Sequence, residues 1–135
     1  MNQRSADLLS LRPEIPNAKI TPYMSKDEQF QNSTLRPIIK FQNSLLIEAF
    51  KNYIIKHKNA FYQLNIEKRL DYIENAIQKD IKFRNSLKGM VIGQFTVEEY
   101  MTYIQNSSTL NKRMMNIVVE RLKDQVQAFE TTVLA

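Results

Sequence analysis

Cysteine is absent from this chain, histidine occurs once and glycine twice. Each shortage removes a class of chemistry. Without cysteine there is no disulfide framework, no thiolate nucleophile and no thiolate metal ligand. With His57 as the sole imidazole, a metal site would have to be completed by scattered carboxylates. No run of about 18 apolar residues occurs, so no transmembrane helix is expected. The opening stretch MNQRSADLLSLRPEIP carries one short apolar patch, Leu8, Leu9 and Leu11, broken by Ser10, Arg12 and Pro13. That patch is too weak for the core of a signal peptide, and with the missing cysteines it predicts a cytoplasmic protein. Ser-x-x-Lys, Gly-x-Ser-x-Gly, His-Glu-x-x-His and the acidic calcium loop are all missing. Adjacent Glu98 and Glu99 read as helix-start charges rather than a catalytic pair, because neighbours on a helix point about 100° apart. No cofactor is expected.

The two glycines, Gly89 and Gly93, fall four apart in GMVIG. A phosphate-cradling loop would need a preceding strand and a following Gly-Lys-Ser or Gly-Lys-Thr, and a membrane packing motif would need an apolar twenty-mer around it. Neither context exists. The spacing predicts instead a helix that ends at Gly89 or Gly93 in a left-handed cap or hinge, with Met90, Val91, Ile92 and Phe95 filling the core at the bend.

What is present is a composition ordinary for a globular domain, 43% hydrophobic and 24% charged, in 135 residues with a net charge of +5. The charge is clustered. KNYIIKHK, residues 51 to 58, holds Lys51, Lys56 and Lys58 without an acid, and KDIKFRNSLK, residues 79 to 88, sets Lys79, Lys82, Arg84 and Lys88 against Asp80. Concentrated basic charge is the minimum a polyanion partner requires, and it also describes an ordinary solvated helix face. Aromatics lie among these cations: Phe61 and Tyr62 after Lys58, Tyr72 after Arg69, and Phe83 between Lys82 and Arg84. Single-stranded nucleic acid is held by such mixtures, rings stacking on bases while Lys and Arg track phosphates. Phe61 and Phe83 also fit a helical core spacing. Lys112 and Arg113 fall in the expected first turn of the last helix, where cations oppose the helix dipole and so suggest a use beyond stability.

Three of the four prolines, Pro13, Pro16 and Pro22, fall in residues 1–24, which reads as an extended arm with at most a short turn at Asp7 to Leu11. Its leucines suit packing on the arm's own domain or on a partner. Residues 25–130 read as one helical domain, and 131–135 as a tail. Ser25 with Glu28 forms a capping box. After Pro37, the residues Ile38, Phe41, Leu45, Ala49, Phe50 and Tyr53 recur at helical steps to about His57. Asn59 or Asn65 caps the next helix, whose stripe of Ile66, Leu70, Ile73 and Ile77 continues weakly through Ile81 to Leu87. Thr96 with Glu99 forms a second box, opening a short helix that carries Val97, Tyr100, Met101 and Ile104. A polar break at 106 to 109 precedes a last helix reaching about Glu130, with Leu110, Met114, Ile117, Val118, Leu122, Val126 and Phe129 on a wide apolar face. That face could cover a core or pair with a second copy. The fold class predicted is all-α, a small bundle of four to five helices with an extended, proline-rich N-terminal arm.

The stretches FQNSTLRPIIKFQN (30–43), IENAIQKDIKFRNSLKGMVIGQFTVEEYMTYIQNSS (73–108) and LNKRMMN (110–116) resemble a family of short bacterial proteins that carry the label glyoxalase. The resemblance covers most of the chain after the arm. It implies a helical protein and, through its label, a small metal-dependent lyase. No catalytic motif is defined for the family, so no residue is carried over as catalytic. Glyoxalase I enzymes proper are similar to one another in their paired βαβββ modules and His and Glu metal ligands, which one histidine and helical caps do not supply.

The reading that joins these observations is a non-catalytic helical interaction module. Its expected polyanion-binding set is Lys51, Lys56, Lys58, Lys79, Lys82, Arg84, Lys88, Lys112 and Arg113. Leu8, Leu9 and Leu11 form an expected partner-binding arm, and Gly89 and Gly93 a hinge or helix cap. The partner expected is a protein or an RNA-containing assembly, without a membrane, and a homo-oligomer is compatible with the apolar last helix. The alternative is the lyase of the family label.

Overall fold

A computed structural model describes residues 2–15 and 19–130 of the chain. Among the described residues there are seven helices and no strand. The count exceeds the expected four to five because the N-terminal segment forms a helix of its own and Asp80 divides a stretch whose apolar periodicity runs on. Pro16 and residues 131–135 lie outside the described residues.

The N-terminal segment is not simply an extended arm. It opens with helix α1 (Gln3–Leu11), started by Asn2, whose side chain accepts from the Ser5 amide. Extended backbone begins only at Arg12, before Pro13. The second helix, α2, consists of Lys26–Phe30, a π-helical turn Gln31–Leu35 and Arg36–Phe41 in one continuous run. Its Ser25 cap accepts from the Glu28 amide. The wide turn has a local cause. Pro37 offers no N–H to the carbonyl four residues back and its ring crowds that carbonyl, and the preceding Arg36 amide reaches Gln31 instead, five residues back.

Helix α3 (Asn43–Lys56) carries Leu46, Phe50 and Ile54 into the core. It ends in the left-handed cap that the glycines were expected to supply. Lys58 and Asn59 both have φ 61°, and the Asn59 amide bonds Ile54 O at 3.0 Å while the Lys58 amide bonds Ile55 O at 3.0 Å. That bond pattern is a Schellman closure. A 3-10 turn, Ala60–Gln63, leads to α4 (Ile66–Lys79), capped by Asn65 rather than Asn59.

The stripe expected to run from Ile66 to Leu87 is two helices, because Asp80 leaves the helical region at φ −83°, ψ 100° and caps α5 (Ile81–Ile92) by accepting from the Phe83 amide. Gly89 lies inside α5 and Gly93 is its C-cap, both with negative φ, so the left-handed reading of this pair does not hold. Helix α6 (Val97–Tyr103) opens on Thr96 and Glu99, which exchange both bonds of a capping box. Helix α7 (Ser107–Asp124) follows, and a 3-10 turn, Val126–Phe129, replaces its expected last turn. Lys112 and Arg113 therefore sit beyond the first turn of α7, too far in for the dipole argument made from the sequence.

Helix α7 packs against α2, α4 and α5, burying Leu110, Met114, Met115, Val118, Val119 and Leu122. Phe50 is the aromatic centre at one end, fully buried with its ring 4.9 Å from Phe129, 5.8 Å from Phe61 and 6.2 Å from Tyr72. At the other end Phe95 sits edge-on between Phe30 at 5.6 Å and Tyr103 at 5.4 Å. The first segment closes on this second cluster. Arg4 donates to Gly93 O and Phe95 O, Ser5 to Glu98, and Arg12 to Gln94 O and Glu99. The arm is thus part of its own domain.

Candidate functional site

The two basic segments of the sequence border one groove. Helix α3 contributes Glu48, Asn52, Tyr53, Lys56 and His57, and α5 with its cap contributes Asp80, Lys82, Phe83 and Met90, around a volume of about 570 Å³. Their convergence follows from Asp80. By ending α4 it turns the chain so that the start of α5 lies beside the end of α3.

The floor is aromatic. Tyr53 lies 4.3 Å from Phe83 and 4.1 Å from His57 between ring centroids, each pair tilted by 31°. His57, the C-cap of α3, is exposed, whereas Tyr53 and Phe83 are half-buried. The Tyr53 hydroxyl donates to Asp80 Oδ2 at 3.0 Å, the bond that ties the two walls together. Burial, and after it this bond, pushes Tyr53 up to about 12. Asp80 is held below its usual range, first by the Phe83 amide and then by the Tyr53 hydroxyl. The same carboxylate therefore caps a helix, fixes a ring of the floor and stays ionised.

Not all of the expected cations reach this groove. Lys56 and Lys82 line it, and Lys79 borders an adjoining depression that shares Tyr53, His57 and Asp80. Lys58 comes next in the chain after His57, in the left-handed cap, and lines neither depression. Lys51 does not line the groove but pairs with its wall residue Glu48 at 3.4 Å. Arg84 donates to Gln78, and neither it nor Lys88 lines the groove. Lys112 is exposed on α7, and Arg113 opens on a separate cleft with Arg36 and Arg121. Of the ambiguous rings, Phe61 is fully buried and Phe83 serves both core and groove.

One further feature escaped sequence reasoning. The residues Val97, Tyr100 and Met101 of α6 and its C-cap Ile104, at core-like spacing, are all exposed, between 45% and 54%, while Tyr103 turns inward. Leu9 and Leu11 are exposed on α1 and Leu8 is half-buried. Among the described residues no group of three or more His, Cys, Asp or Glu side chains is placed to hold a metal ion. No helix of the described chain is long and apolar enough to cross a membrane. No protein-family profile, no curated protein and no solved structure matches the chain.

Proposed function

We propose that this protein is a non-catalytic helical binding module that takes single-stranded RNA, free or within an RNA-containing assembly, across the face formed by α3 and α5. The observation that carries this reading is the convergence of residues 51–58 and 79–88 on a groove floored by Tyr53, His57 and Phe83. Bases stack on such ring faces, and Lys56, Lys58, Lys79 and Lys82 follow the backbone phosphates. Asp80 and Glu48 temper the groove's charge, so the cations around its rim supply the long-range attraction. Lys58 adds a separate argument. A non-glycine residue in the left-handed region costs on the order of 1 kcal/mol, and a lysine kept there is better explained by its charge than by stability.

The test is titration of a fluorescent single-stranded oligoribonucleotide with the protein over a range of salt. Binding should weaken steeply with salt, with a slope of about −0.7 per phosphate contact in a logarithmic plot. Lys56→Glu combined with Lys82→Glu should abolish it with the helical circular dichroism unchanged. Affinity that ignores both salt and these substitutions rules the reading out. Turnover of the methylglyoxal–glutathione adduct by metal-supplemented protein would replace it with the lyase.

A second reading rests on the exposed stripe of α6. Val97, Tyr100, Met101 and Ile104 stand at i, i+3, i+4 and i+7, an apolar helix face of the kind that another protein or a second copy covers. Tyr100→Ser with Met101→Ser should then abolish assembly in sedimentation or pull-down while leaving RNA binding intact.

A further inference from the structure

The cleft at which Arg113 opens lies apart from the groove and shares none of its lining. It holds about 580 Å³, within the range of small-molecule pockets. Helix α7 supplies one wall, with Arg113, Ile117, Glu120, Arg121 and Asp124 at the three- and four-residue spacing that keeps them on one face. The opposite wall is the π-helical turn of α2, which presents Gln31 and, at its exit, Arg36. Wide turns of this kind recur at functional sites because they displace side chains from the helical register.

The three guanidinium groups have an unusual set of partners. Arg36 Nε donates to Asn32 Oδ1 at 3.2 Å, Arg113 Nη1 to Gln31 Oε1 at 2.9 Å and Arg121 Nη1 to Asn43 Oδ1 at 3.4 Å. Each is therefore held by a neutral amide that fixes its position without neutralising it. Among the described residues none of the three forms an ion pair, although Glu120 and Asp124 line the same cleft. All three are half-buried. Positioned, partly desolvated and uncompensated guanidinium forks match the oxygens of a phosphate group. The two carboxylates along the wall are acceptors for hydroxyl groups.

We propose that this cleft binds a small phosphate monoester on a hydroxyl-bearing skeleton, a phosphorylated sugar or a nucleoside monophosphate. Arg36, Arg113 and Arg121 take the phosphate. Glu120 and Asp124 accept from hydroxyls of the skeleton, so the acids that would repel a bare polyanion select for a ligand carrying donors beside its charge. Gln31, placed by the wide turn, holds Arg113 aimed at the phosphate.

The probes are adenosine 5′-monophosphate and ribose 5-phosphate, compared with adenosine, ribose and inorganic phosphate, in amide-resolved NMR titrations of the full chain. Both esters should shift the amides around Gln31, Arg36, Arg113 and Arg121. The unphosphorylated compounds should not, and inorganic phosphate should bind at the same place more weakly. Arg113→Gln and Arg121→Gln should each weaken the esters about tenfold or more. Arg113→Lys keeps the charge and a long stem, so a similar loss in that variant, with an unchanged melting temperature, assigns the effect to the fork. The pair Lys56→Glu and Lys82→Glu, which disables the groove, should leave ester binding as it is. Esters that move none of these resonances at millimolar concentration, or that bind the Arg113 and Arg121 variants as tightly as the parent, overturn the proposal. Equal binding of esters and inorganic phosphate overturns the part assigned to Glu120 and Asp124.

Discussion

Arg12 and Glu99, 87 positions apart, meet in a bidentate ion pair that fastens the end of α1 to the first turn of α6. Both side chains are nearly withdrawn from solvent, at 9% and 17% exposure. Glu99 also accepts from the Thr96 amide and the Thr34 hydroxyl, so one carboxylate joins the arm, α2 and the cap of α6. Arg12 gives its remaining bond to Gln94 O, and its buried Nε has no partner among the described residues.

Removing one member of such a pair strands the other. Glu99→Ala should cost about 2–4 kcal/mol, combining the loss of the ion pair with the loss of the cap. Arg12→Ala should cost less, because the capping box survives it. The double variant should be more stable than the sum of the two losses predicts, by about 1 kcal/mol or more. Urea unfolding of the four proteins measures this. Additive losses would show that the arm is not held by this pair.

The same carboxylate makes the fold sensitive to acid. Burial alone would raise Glu99, but the Arg12 guanidinium, the Thr96 amide and the Thr34 hydroxyl outweigh it and hold the group below the usual carboxylate range. A carboxyl lowered in the folded state contributes stability that is complete above its unfolded value of about 4.3 and disappears as pH falls through its folded value. The melting temperature should therefore be level near neutrality and fall below about pH 4–5. Glu99→Gln should be less stable at pH 7 and show a shallower acid decline than the parent. An identical slope in the two proteins would place the acid sensitivity elsewhere.

Much of this fold could be read from side chains that cap helices. Asn65 and Thr96 act where the sequence placed them, and Ser25 takes its amide. Asp80 was harder to see, because the apolar stripe of α4 runs on past it while a single carboxylate breaks the backbone. Helix α1 was hidden by the prolines that follow it, although Asn2 is an ordinary cap. The groove was half legible, since each basic segment is visible in the sequence and only the turn at Asp80 brings them together. The arginine cleft was not legible. Arg113 was singled out with Lys112, but Arg121 follows Glu120 two turns further along α7 and Arg36 comes from a distant stretch, so clustering along the chain is the wrong signal for a site assembled across α2 and α7.

Tyr53 and Asp80 provide a spectroscopic reading of the groove. A tyrosine raised to about 12 is neutral when the ordinary ones ionise, so titration followed by tyrosinate absorbance should show at least one late group. Because the proton is held more tightly in the folded state, this contribution to stability is present below about pH 10 and is lost as pH rises towards 12. Asp80→Asn removes the charge that helps retain the proton, while the burial that is the larger cause remains. The late step should move down only part of the way. No movement would mean that the Tyr53–Asp80 bond does not form in solution, and the two walls of the groove would lose their tie.

The two glycines and Lys58 make opposite predictions. At Gly89 an added Cβ meets nothing within 4 Å, and the residue lies inside a regular helix, so Gly89→Ala should stabilise by about 0.5–1 kcal/mol through helix propensity alone. At Gly93 the added Cβ would lie 3.1 Å from Gly89 O, while φ is −59°, so alanine there should be close to neutral. Lys58 at φ 61° is where glycine belongs on conformational grounds, and Lys58→Gly should raise stability by about 0.5–1 kcal/mol. Thermal unfolding of the three variants tests the ordering. The same Lys58→Gly protein, assayed with the oligoribonucleotide, should bind more weakly despite being more stable. A variant that is stabilised and binds RNA unchanged would remove Lys58 from the proposed interface and leave its left-handed backbone without a functional reason.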